Sequence, residues 1–293
     1  MASETTVQID SSEPATTGEA WDAIIRPAVG WNLVDLAELW RYRDLLWMLA
    51  LRDIKVRYKQ TLIGAAWAIV QPLATMAVFA VLFGLMSAKA TTGAVPYAVS
   101  TYAALLVWQL FATSLSRSSA SLVENQNMIK KIYCPRIVFP LAPVLAALVD
   151  FGVSLALLVP LMAWYGVLPS WSILTLPMFV LIAIVAALAV GLWLAALSAM
   201  YRDFMYVVPF LTQFWLFVTP VVYETKSVIP GKWQFLYFLN PMAGVVEGFR
   251  WSLFGSTQVP ALGLAISTAM VLFVLLTGLA YFRRCENTLA DWV

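Results

Sequence analysis

Long apolar stretches alternate with short charged segments over most of this 293-residue chain. A run of about 20 apolar residues crosses the hydrocarbon core of a bilayer as a helix, because backbone groups inside lipid must be paired within the segment. The pattern therefore predicts an all-α integral membrane protein with a transmembrane domain at 61–282. Its six predicted spans are Thr61–Met86, Tyr97–Ser116, Ile137–Tyr165, Trp171–Met200, Met205–Val222 and Pro260–Phe282.

The segments that flank this domain have other patterns. Residues 31–60 place Leu33, Leu36 and Trp40 on one helical face, with basic residues following. This is typical of an amphipathic helix in the membrane interface, and a helix packed on protein would give the same periodicity. Residues 1–30 are acidic and rich in Ser and Thr, which predicts a disordered cytoplasmic tail. Residues 283–293 are predicted to form a C-terminal cytoplasmic tail.

Between the fifth and sixth spans, the chain is apolar over a stretch too short to cross a bilayer. Trp233–Val246 is interrupted by Asn240-Pro241. A run of this length is more often re-entrant or interfacial than spanning. We therefore predict two short outer re-entrant helices within an outer gate at 223–255, with Asn240 and Pro241 at its break.

Composition supports the membrane assignment and excludes several functions. The chain is 62% hydrophobic and only 12% charged, against about 25% charged residues in a soluble domain. The net charge of +2 gives no reason to expect nucleic acid. The sequence contains no His, the commonest general base and metal ligand. Its single Gly-Lys pair, Gly231-Lys232, lacks the rest of a phosphate-binding loop. No catalytic site, metal site or ATPase site is therefore predicted.

Lys and Arg gather near the span ends on one side of the predicted bundle. Because cytoplasmic loops carry this excess, both termini are predicted to be cytoplasmic. Asp150 lies in the middle of the third span, where a charge is costly. A structural role, with Asp150 bonded to a neighbouring polar group, is favoured over a functional one. Glu247 and Arg250 are spaced to pair on one helical turn of the outer gate.

Aromatic residues recur along the fifth span. Tyr206, Phe210, Phe214 and Phe217 follow at intervals of four, four and three, so they share one helical face, and Trp215 lies nearby. Two interpretations remain open. The rings could line a substrate channel in which sugars stack, or they could face lipid or another helix, which is the commoner use of such a stripe.

Four segments resemble, in order, the permeases of ABC-2-type exporters. Leu51–Leu73 resembles the approach to their first span, and Asn125–Leu141 their first cytoplasmic loop with the start of the third span. Tyr201–Phe204 resembles the second cytoplasmic loop, and Phe238–Arg250 the outer re-entrant helices. The similarity is greatest to the polysaccharide branch, which exports O-antigen, capsular polysaccharide or teichoic acid. Several motifs in register are more specific than one short pattern.

The resemblance implies a permease subunit of an ATP-driven exporter in the bacterial inner membrane. Its substrate would be a lipid-linked polysaccharide of the O-antigen type, carried on undecaprenyl pyrophosphate. It would form a homodimer with two ABC ATPase subunits, which bind ATP and Mg, so that this chain needs no cofactor and is no enzyme. The alternative is an ABC-2 exporter of a drug or simple lipid. A membrane-embedded transferase would need converging acids or a metal site, and a secondary transporter would need repeated halves with broken helices.

The resemblance also implies that the first cytoplasmic loop, 117–136, contacts the ATPase together with the amphipathic helix. Ser121–Lys131 is predicted to form a short polar helix whose acidic start and basic end complement the helix dipole, although a solvated loop would have the same composition. The expected coupling residues are Glu124, Asn125, Gln126, Asn127, Lys130, Lys131, Arg202 and Asp203.

Four basic residues precede the first span: Arg52, Lys55, Arg57 and Lys59. Attraction to anionic lipids explains them, at about 1 kcal/mol for each basic residue near the surface. The second interpretation is that some of them bind the pyrophosphate of the lipid carrier, which an Arg contacts with two hydrogen bonds.

Overall fold

The computed structural model describes residues 36–59, 66–86, 95–223, 225, 229–255 and 261–286, all in one compact unit. Within these ranges the regular structure is helical and no strand occurs. A 3₁₀ turn at Trp171–Thr175 precedes the helix that begins at Leu176. The helices are α1 (Leu36–Arg41), α2 (Arg43–Lys59), α3 (Trp67–Met86), α4 (Tyr97–Glu124), α5 (Gln126–Ile129), α6 (Val138–Trp164), α7 (Leu176–Met200), α8 (Phe204–Val218), α9 (Gly231–Tyr237), α10 (Pro241–Phe254) and α11 (Ala261–Glu286).

Within the described residues, four helices are long and apolar enough to cross a membrane: α4, α6, α7 with its preceding turn, and α11. They correspond to four predicted spans and confirm an all-helical membrane protein. The apolar part of α3, Ile69–Phe79, and the whole of α8 are shorter. The 15 residues of α8 extend about 22 Å, less than the roughly 30 Å of a hydrocarbon core. α8 ends four residues before the predicted Val222, because Thr219 is extended.

The core is built around α4, which packs against α6 and α7. Most of its side chains are buried, including a series of serines. Ser118 donates to the carbonyl of Pro140 at 3.0 Å. A Cβ added at Gly191 of α7 would lie 2.8 Å from the Ser118 hydroxyl, so the two backbones approach closely only because both residues are small. Small residues at the contact are how helices associate in a membrane, where lipid competes with apolar side chains.

α4 continues through Glu124, so residues 117–124 of the predicted first cytoplasmic loop are helical. The predicted short helix Ser121–Lys131 is wrong in its first half, because those residues belong to α4. Leu122 is buried, and its packing extends the helix beyond the charged Arg117, which is exposed. Asn125 leaves the helical conformation, and its side-chain amide donates to the carbonyl of Ser121 at 2.8 Å. Only Gln126–Ile129 form the next turn.

The last helix also exceeds its prediction. α11 continues to Glu286 because Phe282 and Cys285 are buried beside Val138 and Ala195. The first residues of the predicted tail at 283–293 are therefore helical, and residues 287–293 lie outside the described residues.

Among the described residues, the N-terminal helices bury one side against the rest of the chain. α2 packs along α6 and buries Leu49 and Ala50 there. Trp40 and Trp47 remain exposed. The helix therefore has both a protein-facing side and an exposed aromatic side. The predicted tail at 1–30 and the start of the predicted amphipathic segment, 31–35, lie outside the described residues.

Asn240-Pro241 separates α9 from α10, as the sequence predicted. The Asn240 side-chain oxygen accepts the N–H of Met242 at 3.1 Å and so caps α10. Pro241 occupies the first turn, where its fixed φ suits a helix and its missing N–H costs nothing. α10 ends at Gly255, whose φ of +62° favours glycine.

Candidate functional site

The predicted coupling residues lie at one end of the helix bundle. Leu122 near the end of α4, Ile129 of α5 and Met200 at the end of α7 contact one apolar cluster, which brings these three ends together. The residues just beyond them face outward. Asn125 and Gln126 are half-buried, and the exposed members are Glu124, Asn127, Lys130, Lys131, Arg202 and Asp203.

α2 is joined to this surface by Arg52. Its guanidinium donates to the Asn125 side-chain oxygen at 2.9 Å and pairs with Asp53 at 2.9 Å. Of the four basic residues predicted to bind lipid or pyrophosphate, Arg52 thus bonds to the coupling segment, whereas Lys55 and Lys59 are exposed.

Two exposed apolar residues adjoin the lysines of this surface. Ile132 and Tyr133 are 52% and 61% exposed. Neither residue was predicted to be functional, and the sequence signal for them is their position directly after Lys131. An exposed apolar pair beside charges is a feature of protein contact surfaces. The next residue, Cys134, is buried, and this burial raises the pKa of its thiol.

A cavity of about 500 Å³ lies between α2, α3, α4, α6 and α8. Its α4 wall is polar, with Gln109, Thr113 and Arg117 on one helical face. Arg57 and Tyr58 of α2 and Asp150 of α6 complete its charged part. Arg117 lies in the predicted first cytoplasmic loop, 117–136, and the cavity is not predicted from the sequence.

Asp150 is bonded from α2 on two sides. Arg57 forms an ion pair with it, and the Tyr58 hydroxyl donates to its other oxygen. The predicted structural bonding of Asp150 is therefore found, with partners about 92 residues away in the chain. Burial and, secondarily, the positive charge of Arg117 lower the pKa of Arg57. Both guanidinium groups therefore contribute to the field in the cavity.

The aromatic stripe of α8 is exposed. Tyr206, Phe210, Phe214 and Phe217 are between 56% and 82% exposed, and the Phe210 and Phe214 rings lie 4.5 Å apart. Phe217 also meets Phe79 of α3, with ring centroids 6.5 Å apart, so α3 and α8 share this surface.

Trp215, which the sequence places near the stripe, does not share its face. One residue along a helix turns by about 100°, which directs Trp215 inward from Phe214. Its ring packs edge-on against Phe111, with centroids 5.2 Å apart. Its indole N–H donates to the Asn240 side-chain oxygen at 3.0 Å.

The predicted ion pair between Glu247 and Arg250 does not occur among the contacts of the described residues. Arg250 is 4% exposed and donates to the carbonyls of Tyr223 at 3.0 Å and Ser100 at 3.3 Å, and also to that of Val221. Glu247 accepts the N–H of Thr225 at 3.1 Å. Both charges therefore bind the backbone between α8 and α9, which fastens that segment to α10.

The gate and coupling residues lie at opposite ends of α4. Arg250 contacts Ser100 in the first turn, and Glu124 is the last residue of the helix. At 1.5 Å per residue, the two positions are about 36 Å apart.

Comparison with known proteins gives consistent results over most of the chain. The family model of the ABC-2 type transporters matches residues 44–254. An O-antigen export system permease protein, RfbA, of Myxococcus xanthus is 29% identical over 82% of this chain and 91% of its own length. A Klebsiella pneumoniae protein of the same name is 27% identical over 85% and 94%. The polysialic acid transport protein KpsM of Escherichia coli is 24% identical over 82% and 93%.

Proposed function

The chain belongs to the ABC-2 type transporter family, and we propose that it is the permease subunit of an ATP-driven exporter of a lipid-linked polysaccharide of the O-antigen type. The observation that carries the polysaccharide assignment is the exposed aromatic stripe on α8. Aromatic faces stack on sugar rings without fixing each unit by strong hydrogen bonds, so a glycan chain can slide along them. Similarity to permeases named for O-antigen export, over more than four fifths of this chain, supports the same substrate class.

The proposed membrane arrangement has six spans, formed by α3, α4, α6, α7, α8 and α11, in the bacterial inner membrane. Lys130, Lys131 and Arg202 assign the coupling end to the cytoplasm, together with both termini. α9 and α10 contact the opposite end of α4 through Arg250. They enter the outer leaflet as re-entrant helices, which is tolerated because they pack on protein.

A second copy of the chain covers the exposed face of α3 and α8 in this proposal. Trp67, Val70 and Val78 of α3 are exposed, and α3 meets Phe217 through Phe79. The glycan path then lies between the two protomers, with the stripes lining it and α9–α10 closing its outer end.

Two ABC ATPase subunits supply ATP and Mg binding and dock on the coupling surface. Its exposed charges and the apolar Ile132 and Tyr133 suit a protein partner. Lys55 and Lys59, which are exposed on α2, contact anionic lipid headgroups or the pyrophosphate of the carrier.

Export of a drug or simple lipid is the second candidate, because the same fold serves it. In that case no aromatic corridor is needed, and the stripe faces lipid or the partner protomer.

The test is replacement of Phe210 and Phe214 together by Ala, in cells that produce the chain with its cognate ATPase. We expect surface glycan to fall severalfold while the complex still copurifies and retains its basal ATP hydrolysis. The matched control is the double replacement of Phe273 and Leu276 on α11, which are also exposed. Unchanged export by the α8 variant would remove the stripe from the glycan path. Failure of the chain to copurify with any ATPase would overturn the exporter assignment itself.

A further inference from the structure

The cavity between α2, α4 and α6 has the chemistry of an anion site. Of its described lining residues, three are charged: Arg57, Arg117 and Asp150. Their formal sum is one positive charge. Guanidinium groups recognise phosphate with paired, charge-assisted hydrogen bonds. Gln109 and Thr113 add neutral polar groups along the α4 wall.

The size and position of the cavity also suit a headgroup. A volume of about 500 Å³ holds far more than a water molecule or a single ion. Arg117 is exposed, so the cavity communicates with the surface of the chain on that side. Trp67 and Leu106 give it apolar walls beside the charged groups. An occupant with a charged end and an apolar end would match both parts.

Asp150 acts in this cavity as a resident counter-ion. It neutralises Arg57 through the ion pair, and it is itself only partly buried, with 21% of its side chain exposed. An arriving anion therefore competes with the Asp150 carboxylate for the Arg57 guanidinium. Among the described contacts, no carboxylate competes in this way for Arg117.

We propose that this cavity binds a phosphate- or diphosphate-bearing group, with Arg57 and Arg117 as its ligands and Asp150 as the internal competitor. The site is separate from the glycan stripe, because the described lining includes none of the four ring positions of α8. The idea that the bound group belongs to the exported amphiphile rests on the proposed function, but the anion site itself does not.

The experiment uses the purified full-length chain in detergent and isothermal titration calorimetry. One arm titrates inorganic diphosphate, and the other titrates dioctanoyl phosphatidic acid with dioctanoyl phosphatidylcholine as the uncharged-headgroup reference. Saturable binding of diphosphate alone identifies a free anion as the ligand. Tighter binding of phosphatidic acid than of diphosphate identifies a lipid headgroup.

Two variants change the affinity in opposite directions. Arg117→Gln removes a ligand and should weaken binding at least about tenfold, whereas Asp150→Asn removes the competitor and should strengthen it by a similar factor. Arg43→Gln is the control, since it removes one charge from an exposed position in the first turn of the same helix, α2, outside the cavity. Because Arg117 is exposed, its replacement by Gln should leave the packing of the core and the folding of the chain intact.

No saturable binding to the wild-type chain, or equal affinities for the wild type, Arg117→Gln and Asp150→Asn, would overturn the proposal. Neither the ATPase nor the glycan takes part in this binding experiment. A negative result would therefore leave the proposed export function standing. Conversely, unchanged export by the α8 variant would contradict the role of the stripe and would leave this anion site untouched.

Discussion

Asn240 joins α8 to α10, and its replacement by Ala tests the packing at the outer end of the bundle. Its side-chain oxygen accepts from the N–H of Met242 at 3.1 Å and from the indole of Trp215 at 3.0 Å. Its amide donates to the Thr219 hydroxyl at 3.1 Å. One side chain thus caps α10 and holds the end of α8 against it.

The magnitude follows from these three contacts. Loss of a helix N-cap costs about 1 kcal/mol, and each of the two further hydrogen bonds contributes about 1 kcal/mol. The free energy of unfolding should therefore fall by about 3 kcal/mol. For a chain of this size, that lowers the melting temperature by about 6–12 °C. Asn240→Ser keeps a capping oxygen, so its free energy of unfolding should fall by about two thirds as much as that of Asn240→Ala.

The assay is thermal unfolding of the purified chain in detergent, followed by intrinsic fluorescence, in a double-mutant cycle with Trp215→Phe. The Phe variant keeps a ring against Phe111 and removes only the indole N–H. If Asn240 and Trp215 are bonded as described, their coupling energy should be about 1 kcal/mol. If the losses of unfolding free energy in the two single variants add up to the loss in the double variant within about 0.3 kcal/mol, the bond is refuted. The inward placement of Trp215 would then be refuted with it.

Two other predictions address packing and reactivity. Gly248→Leu should destabilise the chain by about 3 kcal/mol or more, because even a Cβ at Gly248 would overlap the Phe179 ring. Adding Phe179→Ala to the same chain should restore much of the melting temperature. A melting temperature that stays as low as in the single variant would argue against that contact. Cys134 should react with maleimide at pH 8 at least about tenfold more slowly than a free thiol, because burial both shields it and raises its pKa above the usual value for a thiol. A cysteine placed at the exposed Tyr133, with Cys134 changed to Ser, is the control that should react quickly, and equal labelling rates would contradict the burial of Cys134.

The long spans could be predicted from the sequence because the length of an apolar run is a local property. α6 was predicted at Ile137–Tyr165 and is found at Val138–Trp164. The prediction failed where one charged residue interrupts a helix that continues. The charge of Arg117 follows the predicted end of a span at Ser116, but Ser118 and Leu122 are buried, so α4 extends to Glu124. A single exposed charge does not end a helix whose other side still packs.

The partners of the charged and polar side chains could not be predicted, because they depend on tertiary contacts. Spacing correctly places Glu247 and Arg250 near each other on α10. It does not show that the carbonyls of Ser100 and Tyr223 approach Arg250 more favourably than Glu247 does. Likewise, periodicity places the four rings of α8 on one face, and all four are exposed. It does not give the direction of Trp215, which is fixed by its contacts with Phe111 and Asn240.

α2 is the helix through which the coupling end and the cavity communicate most directly. Arg52 bonds to Asn125 at the coupling surface, and Arg57 pairs with Asp150 in the cavity. These two arginines are separated by only about 7.5 Å of helix rise, so a rigid displacement of α2 changes both contacts together. α4 also reaches both places, with Arg117 in the cavity and Glu124 at its end, but Ser118 packs closely against Gly191 of α7. We therefore expect a displacement of the predicted coupling residues to move α2 relative to α6 and to change the Arg57–Asp150 pair.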